Sequence, residues 1–486
     1  MTPTLIIGCV AVYSALLFFI TWLTTRKANN ASYFIGNKAS KWYVVAYGMI
    51  GASLSGVTFM SVPGWVGTTQ FSYLVVVLGY FVGYIIIATV LMPMYYRLNL
   101  TSIYGFLEQR FGFWSYKTGA FFFILSRTIG ASFRMFLVIN VLQTFVFDAM
   151  GVPFILTVGI FIVLILLYTY EGGIKTIVWT DTLQTTFMLL AVVISVTLIV
   201  KELNIPFIDV LRSVNASDYS KVIFTDWHDK RFFVKQFLSG IFICIAMTGL
   251  DQEMMQKNLS CKNLKDAQKN MFSFSAIMVF VNLLFLLLGA TLYFYAEAKG
   301  IVLPKKTDDI FPTMALQHFG TFAGIVFVIG IISAAYPSAD GALTSLTTSA
   351  CIDFLDFQKR DDEVKKKKTR HLVHLAFAVL LLAVVVLFRA INNEAVIGKL
   401  FTVAGYTYGP LLGLFAFGLF VKASVKDKLV PYICIASPVL CYFLSEHSVQ
   451  FFNGYKFGFE LLLLNGLFVF VGLLLIRKPG TTSAAS

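Results

Sequence analysis

Apolar runs of about 20 residues recur from end to end of this 486-residue chain, and the polar stretches between them stay under about 35 residues. At 1.5 Å per residue, one such run in helical form matches the roughly 30 Å hydrocarbon core of a bilayer. Composition agrees with that pattern. Hydrophobic residues make up 58% of the chain and charged residues 13%, against about 25% charged in soluble globular domains. A water-soluble enzyme, a disordered chain and a secreted disulfide scaffold are excluded. The expected class is an all-α polytopic membrane protein.

The first run, Leu5 to Leu23, has its positive charges, Arg26 and Lys27, after the apolar stretch. A signal peptide carries them before it, so this run is expected to be a retained span with its N-terminus outside. Further spans are expected at about 42–67, 71–96, 119–147, 152–169, 175–200, 232–250, 271–295, 311–351, 372–390, 395–421, 429–445 and 457–476, thirteen in all. Tilt or a break accommodates the longer ones.

The net charge of +13 does not require a nucleic-acid partner, because the positive charges are distributed by side. Alternate connections hold Arg26, Lys27, Lys38, Lys41, Arg97, Arg110, Lys117, Lys175, Lys257, Lys262, Lys265, Lys269, the basic run of 359–370, Lys422, Lys426, Lys428, Arg477 and Lys478. That bias predicts an N-out, C-in chain, and the expected location is a bacterial inner membrane. Within it, Lys365–Lys368 is a solvated anchor on anionic lipid. The six cysteines lie mostly in or beside apolar runs without metal-ligand spacing, and read as small apolar residues.

Four stretches carry more than hydrophobicity. Residues 48–64, GMIGASLSGVTFMSVPG, crowd glycine, proline and small hydroxyl residues into one span. Such a helix can unwind at mid-membrane and free carbonyls for a cation or polar solute, although tight helix packing also uses small residues. Residues 172–184, GGIKTIVWTDTLQ, put Asp181 one to two turns into a span. Residues 249–269, GLDQEMMQKNLSCKNLKDAQK, are a polar segment after an apolar helix. Residues 333–353, SAAYPSADGALTSLTTSACID, are dense in Ser, Thr and Ala and contain Pro337 and Asp340.

With GYTYGPLLGLFAFGLF at 405–420, these motifs resemble, in order, the sodium/solute symporter family of sodium-coupled sugar, proline and sialic acid transporters. The resemblance runs from about residue 42 to 421. It implies a LeuT-like core of two inverted five-helix repeats, about 42–200 and 232–421. Residues 1–41 would then be an extra span and cytoplasmic loop, 201–231 an extracellular loop, and 422–486 two peripheral spans with a short tail.

The resemblance also implies a sodium ion as the coupling ion, with no other cofactor. Its ligands would be the carbonyls of Gly51, Leu54 and Ala334 and hydroxyls at positions 337 and 338. Ser338 supplies one hydroxyl, whereas Pro337 cannot. Proline also lacks the amide that would bond the carbonyl at 333, so Ser333 can offer that oxygen instead. Asp340 and Asp181 match a second cation site of some members, or a proton-accepting pair. A carboxylate within a span faces a cavity or a partner, and Arg127 and Arg134 are candidate partners for Asp181.

Arg127 and Arg134 are seven residues apart and share a helix face. Arg134 lies too deep to snorkel and suits a bidentate bond to a solute carboxylate. Sialic-acid-transporting relatives place an arginine on this helix for that purpose. Ser53, Ser55 and Thr58 are expected to bond solute hydroxyls, with Gln70 and Tyr73 facing them. His371 and His374 lack an accompanying acid or cysteine, so no metal site is expected there. No phosphate-cradling loop and no nucleophile beside a base appear.

The expected function is sodium-coupled symport of a small polar solute, a carboxylated sugar such as sialic acid before others, by a monomer in the lipid bilayer. The alternatives are proton- or sodium-coupled uptake of a neutral sugar or amino acid and, from another class, a membrane solute sensor. An intramembrane enzyme would need a clustered His, Cys or acid set at one depth, for which Asp181 and Asp340 are the only candidates.

Overall fold

The computed structural model describes residues 3–25, 30–170, 173–359, 362–391 and 396–482. Arg26, Lys27 and Arg360, counted above for orientation, lie outside the described residues, as does Gly172. In chain order the helices are α1 (Pro3–Thr25), the short α2 (Asn30–Ile35), α3 (Trp42–Ser53), α4 (Gly56–Thr69) and α5 (Tyr73–Ile86), which continues to Arg97. Next come the short α6 (Gly105–Arg110), α7 (Phe113–Leu142), α8 (Phe154–Thr169), α9 (Gly173–Leu203) and α10 (Phe207–Ala216). The second half holds α11 (Phe233–Cys244), α12 (Gln252–Leu259), α13 (Leu264–Lys299), α14 (Gly320–Ser349), α15 (Glu363–Ile391), α16 (Val396–Phe420), α17 (Val430–Glu446) and α18 (Leu461–Leu475). A small antiparallel pairing joins 423–425 to 477–482.

By length and apolarity, nine described helical runs can cross a membrane, and a bent pair, Phe233–Gly249 with Gln252–Leu259 at 65°, makes a tenth. One of the nine, Gly56–Arg97, is two antiparallel helices. Helix α13 acts as a ruler for it: Phe59 meets Phe285 and Gly67 meets Tyr293, while Tyr84 meets Phe274 and Gln268 bonds the carbonyl of Ala88. Helix α4 therefore climbs α13 and α5 descends it, with the reversal at Gln70, whose φ is 56°. With the shorter apolar helices α8 and α18, helical segments fall on each expected span.

Close packing explains the small residues. A Cβ at Gly79 of α5 would lie 2.3 Å from the Phe237 carbonyl oxygen, and one at Gly240 of α11 2.2 Å from that of Val76. The two helices touch backbone to backbone, as association in lipid favours.

Two helices are broken in the interior, one at each expected repeat start, and the breaks are finished differently. Between α11 and α12 the Gly249 and Leu250 carbonyls accept the Tyr95 and Tyr104 hydroxyls at 2.8 and 2.9 Å. Asp251 caps α12 by accepting the Glu253 and Met254 amides at 2.9 and 3.3 Å. Between α3 and α4, Ser55 is extended, with φ −64° and ψ 177°. No described main-chain amide bonds across that break, so the carbonyls of Gly51, Ala52, Ser53 and Leu54 keep free lone pairs. A buried carbonyl without a donor is a polar group awaiting a partner.

Candidate functional site

The open break borders a central cavity of about 90 Å³. Its walls include Ser53, Leu54, Ser55 and Thr58 from the broken helix, Tyr73 and Tyr80 from α5, Arg127 and Arg134 from α7, and Thr248, Asn282 and Phe401. Five of the six expected solute contacts (Ser53, Ser55, Thr58, Tyr73 and Arg134) are thus brought together. Gln70 is not. The left-handed turn at that residue carries it to the α4–α5 reversal, outside the cavity lining. Tyr80, Thr248 and Asn282 were missed: single polar residues in apolar runs give no periodic signal.

A second cavity, about 590 Å³, lies on the side of Trp65 and Tyr73 that bears the 201–231 connection. Lys230, Arg231, Phe133, Thr402 and Phe459 are among its walls, and Tyr73 lines both cavities. Trp65 lies against Tyr73 and Phe459 with ring centres 6.4 and 6.5 Å away, and Phe459 meets Phe401 at 4.9 Å. These rings partition the two spaces.

The cation-site residues lie apart from the cavity wall except for Leu54. Gly51 donates its amide to the Thr185 hydroxyl at 3.0 Å, which ties α3 to α9. Helix α14 packs on both α3 and α4. On it, Ala334 and Ser338 are fully buried, and the Ser333 and Ser338 hydroxyls have no hydrogen-bond partner among the described residues. Pro337 lies inside the unbroken α14, so the Ser333 carbonyl receives no amide from position 337. The free carbonyls of one element and the orphaned hydroxyls of its neighbour are all oxygen donors, the kind a hard cation takes.

The structure corrects the reading of Asp181. Its partner is neither arginine but Lys257, whose ammonium lies 2.7 Å from the carboxylate. Lys257 was expected in a loop on the basic side; instead the 65° bend after α11 carries α12 into the interior and leaves it 1% exposed. The pair opens a chain of buried charges. Lys257 is 3.5 Å from Glu253, Glu253 accepts from Arg127, Arg127 is 3.8 Å from Asp251, and Asp251 accepts the Tyr408 hydroxyl at 2.6 Å. The chain links α9, α12, α7 and α16. Asp340 stands beside it, accepting the Tyr168 hydroxyl at 2.8 Å and the Gly341 amide at 2.5 Å.

Arg127 is thus neutralised, while Arg134 pairs with no carboxylate among the described residues, and its Nε lacks a partner. Away from the cavity, His374 bridges Tyr33, Thr347 and Thr169 at 3.0–3.1 Å.

A family model for the sodium:solute symporter family matches residues 33–427. The sodium/sialic acid symporter NanT of Aliivibrio fischeri is 23% identical over 444 residues, covering 89% of this chain and 86% of its own. The sodium/sialic acid symporter SiaT of Proteus mirabilis is 22% identical over 437 residues, 87% and 86% of the two chains. The human sodium/iodide cotransporter is 24% identical, over 80% of this chain and 61% of its own. Among solved structures, a substrate-bound, outward-open sodium-coupled sialic acid symporter superposes with a TM-score of 0.83 at 19% identity, over 97% and 98% of the chains. A closed nucleobase–cation symport transporter with bromovinylhydantoin bound gives 0.57 at 12%, over 92% and 93%. These two likenesses establish the LeuT-like fold. The chain belongs to the sodium:solute symporter family, as an integral membrane secondary transporter and not an enzyme.

Proposed function

We propose that the protein imports a carboxylated sugar such as sialic acid together with sodium, by alternating access. The observation that carries this reading is Arg134, a guanidinium without a carboxylate partner among the described residues, facing a cavity edged by Ser53, Ser55 and Thr58. A guanidinium held there is a fixed receptor for a planar anion, and two parallel N–H bonds orient it. The three hydroxyls suit sugar hydroxyls. Two relatives named sodium/sialic acid symporters support the same solute class.

The proposed sodium ligands are the carbonyls of Gly51, Leu54 and Ala334 and the hydroxyl of Ser338, with the Ser333 carbonyl standing in for the oxygen that Pro337 lacks. Sodium held there joins the broken helix to α14 and fixes the direction of Ser53 and Ser55. Binding is then reciprocal: solute tightens sodium by the factor with which sodium tightens solute. The central cavity, about 90 Å³, is small beside the roughly 300–1,000 Å³ of ligand pockets. The aromatic partition must therefore swing toward the larger vestibule to admit the sugar. The vestibule side is outside in this reading, with the N-terminus outside and the C-terminus in the cytoplasm of a bacterial cell. The repeats run 42–200 and 232–421, and the unit is a monomer.

The test is uptake of radiolabelled N-acetylneuraminic acid into liposomes holding the purified protein, under an inward sodium gradient with a potassium control. Sodium-dependent accumulation is expected. Accumulation of a neutral sugar or amino acid in its place would overturn the solute assignment.

A further inference from the structure

We propose that Lys257 is a tethered cation at the α9–α14 interface, and that the transporter consequently binds one sodium ion rather than two. The proposal rests on the sodium-symport reading above and replaces the assignment of Asp181 as a sodium ligand.

Helices α9 and α14 pack along one another, and each brings a carboxylate to the interior. Asp181 is 1% exposed and Asp340 fully buried. Two carboxylates this far from water need positive charge beside them. A transporter can meet that need with an ion from solution, which then crosses with the solute, or with a side chain, which stays.

The structure takes the second route. The Lys257 ammonium sits 2.7 Å from Asp181 and 3.5 Å from Glu253, the residue against which Gly341, next to Asp340 in the chain, is packed. An ammonium is a compact unit charge with three donors, so it fills the place a monovalent metal ion would take.

The neighbourhood is shaped around this pair. A Cβ at Gly48 would come 3.0 Å from the Asp181 Cβ, and one at Gly341 would come 2.4 Å from Glu253 Oε1. Small residues on α3 and α14 thus leave room for the charged side chains. Arg127 does not substitute for Lys257, because its charge is engaged by Glu253 and Asp251. Without Lys257, Asp340 would keep the Tyr168 hydroxyl and the Gly341 amide, whereas Asp181 would keep no hydrogen-bond donor among the described residues. One further oxygen, Asp181 Oδ1, already lacks a hydrogen-bond partner. Removing the ammonium therefore creates a second cation site out of groups already in place.

Equilibrium binding of ²²Na⁺ to the purified full-length protein tests this without reference to the solute. Wild type is expected to saturate at one sodium per protein and Lys257→Met at two. Two sodium ions in wild type, or one in a folded Lys257→Met, would overturn the proposal; the latter result would make the ion pair a structural lock only. Should Lys257→Met not fold, the double variant Lys257→Met/Asp181→Asn, which removes both charges, is expected to bind one. Two there would also count against it. Absence of sodium binding in wild type would be a different failure, that of the sodium-coupled reading itself, and would take this proposal with it.

Discussion

Arg127 and Arg134 project two turns apart from one helix, yet Arg127 is bound by Glu253 and Asp251 while Arg134 pairs with no described acid. The difference assigns them separate tasks. Arg127 holds α7 to α12, and Arg134 keeps its donors for something that arrives.

Arg134→Ala should therefore cut uptake of an acidic sugar by roughly 10- to 150-fold, the equivalent of a charge-assisted bond of about 1.5–3 kcal/mol. Arg134→Lys should restore only part, because an ammonium cannot make the forked contact. Sodium binding without solute should stay at its wild-type level in both. Undiminished transport of the acid by Arg134→Ala would remove the carboxylate argument.

The matching substitution at Arg127 should act on the fold. Arg127→Ala leaves buried Asp251 without its cation and Glu253 with Lys257 alone, and breaking a buried pair from one side costs about 3–5 kcal/mol. A clear fall in the thermal midpoint in detergent is expected. Arg127→Met/Glu253→Gln, which neutralises both ends, should recover part of it. An unchanged midpoint for the single variant would mean that water or an unseen group already screens these acids.

Ser338→Ala tests the cation site. The hydroxyl is buried and has no partner among the described residues, so its removal disturbs no hydrogen bond seen there. If it is a sodium ligand, the half-saturating sodium concentration should rise about tenfold, near 1.4 kcal/mol. A sodium titration that overlays wild type would place the ion elsewhere.

The contrast between Gln70 and Lys257 shows where the sequence was readable. Span positions follow from the length of apolar runs, a local property, and the GASLSG break follows from residues that weaken a helix at one place. Gln70 lies three residues before Tyr73, which on a continuous helix would give both the same face. The left-handed backbone at Gln70 breaks that continuity, and nothing in the residue type announces it. Lys257 was hidden for a longer-range reason. Residues 251–259 are polar, and a polar segment after a span reads as a loop. A bend fixed by Tyr95 and Tyr104, from distant parts of the chain, turns it inward instead. The Arg127–Glu253 pairing likewise depends on contacts 126 residues apart.

Cys244 provides a native reporter for the aromatic partition. It lines the central cavity and is 3% exposed, while Tyr73 stands on the boundary with the vestibule. In wild type a membrane-impermeant maleimide applied from the vestibule side should label Cys244 slowly. Tyr73→Ala removes the ring that packs on Trp65, and Phe459→Ala one that packs on both Trp65 and Phe401. Aromatic contacts of this kind contribute about 0.5–1.5 kcal/mol each, so either variant should speed labelling several-fold and both together about tenfold or more. Cys244→Ser in the same backgrounds identifies the signal. Bound solute should slow labelling by filling the space between Cys244 and the opening. Equal labelling in wild type and both variants would show that reagent reaches the cavity by another route, and that the ring partition does not control access.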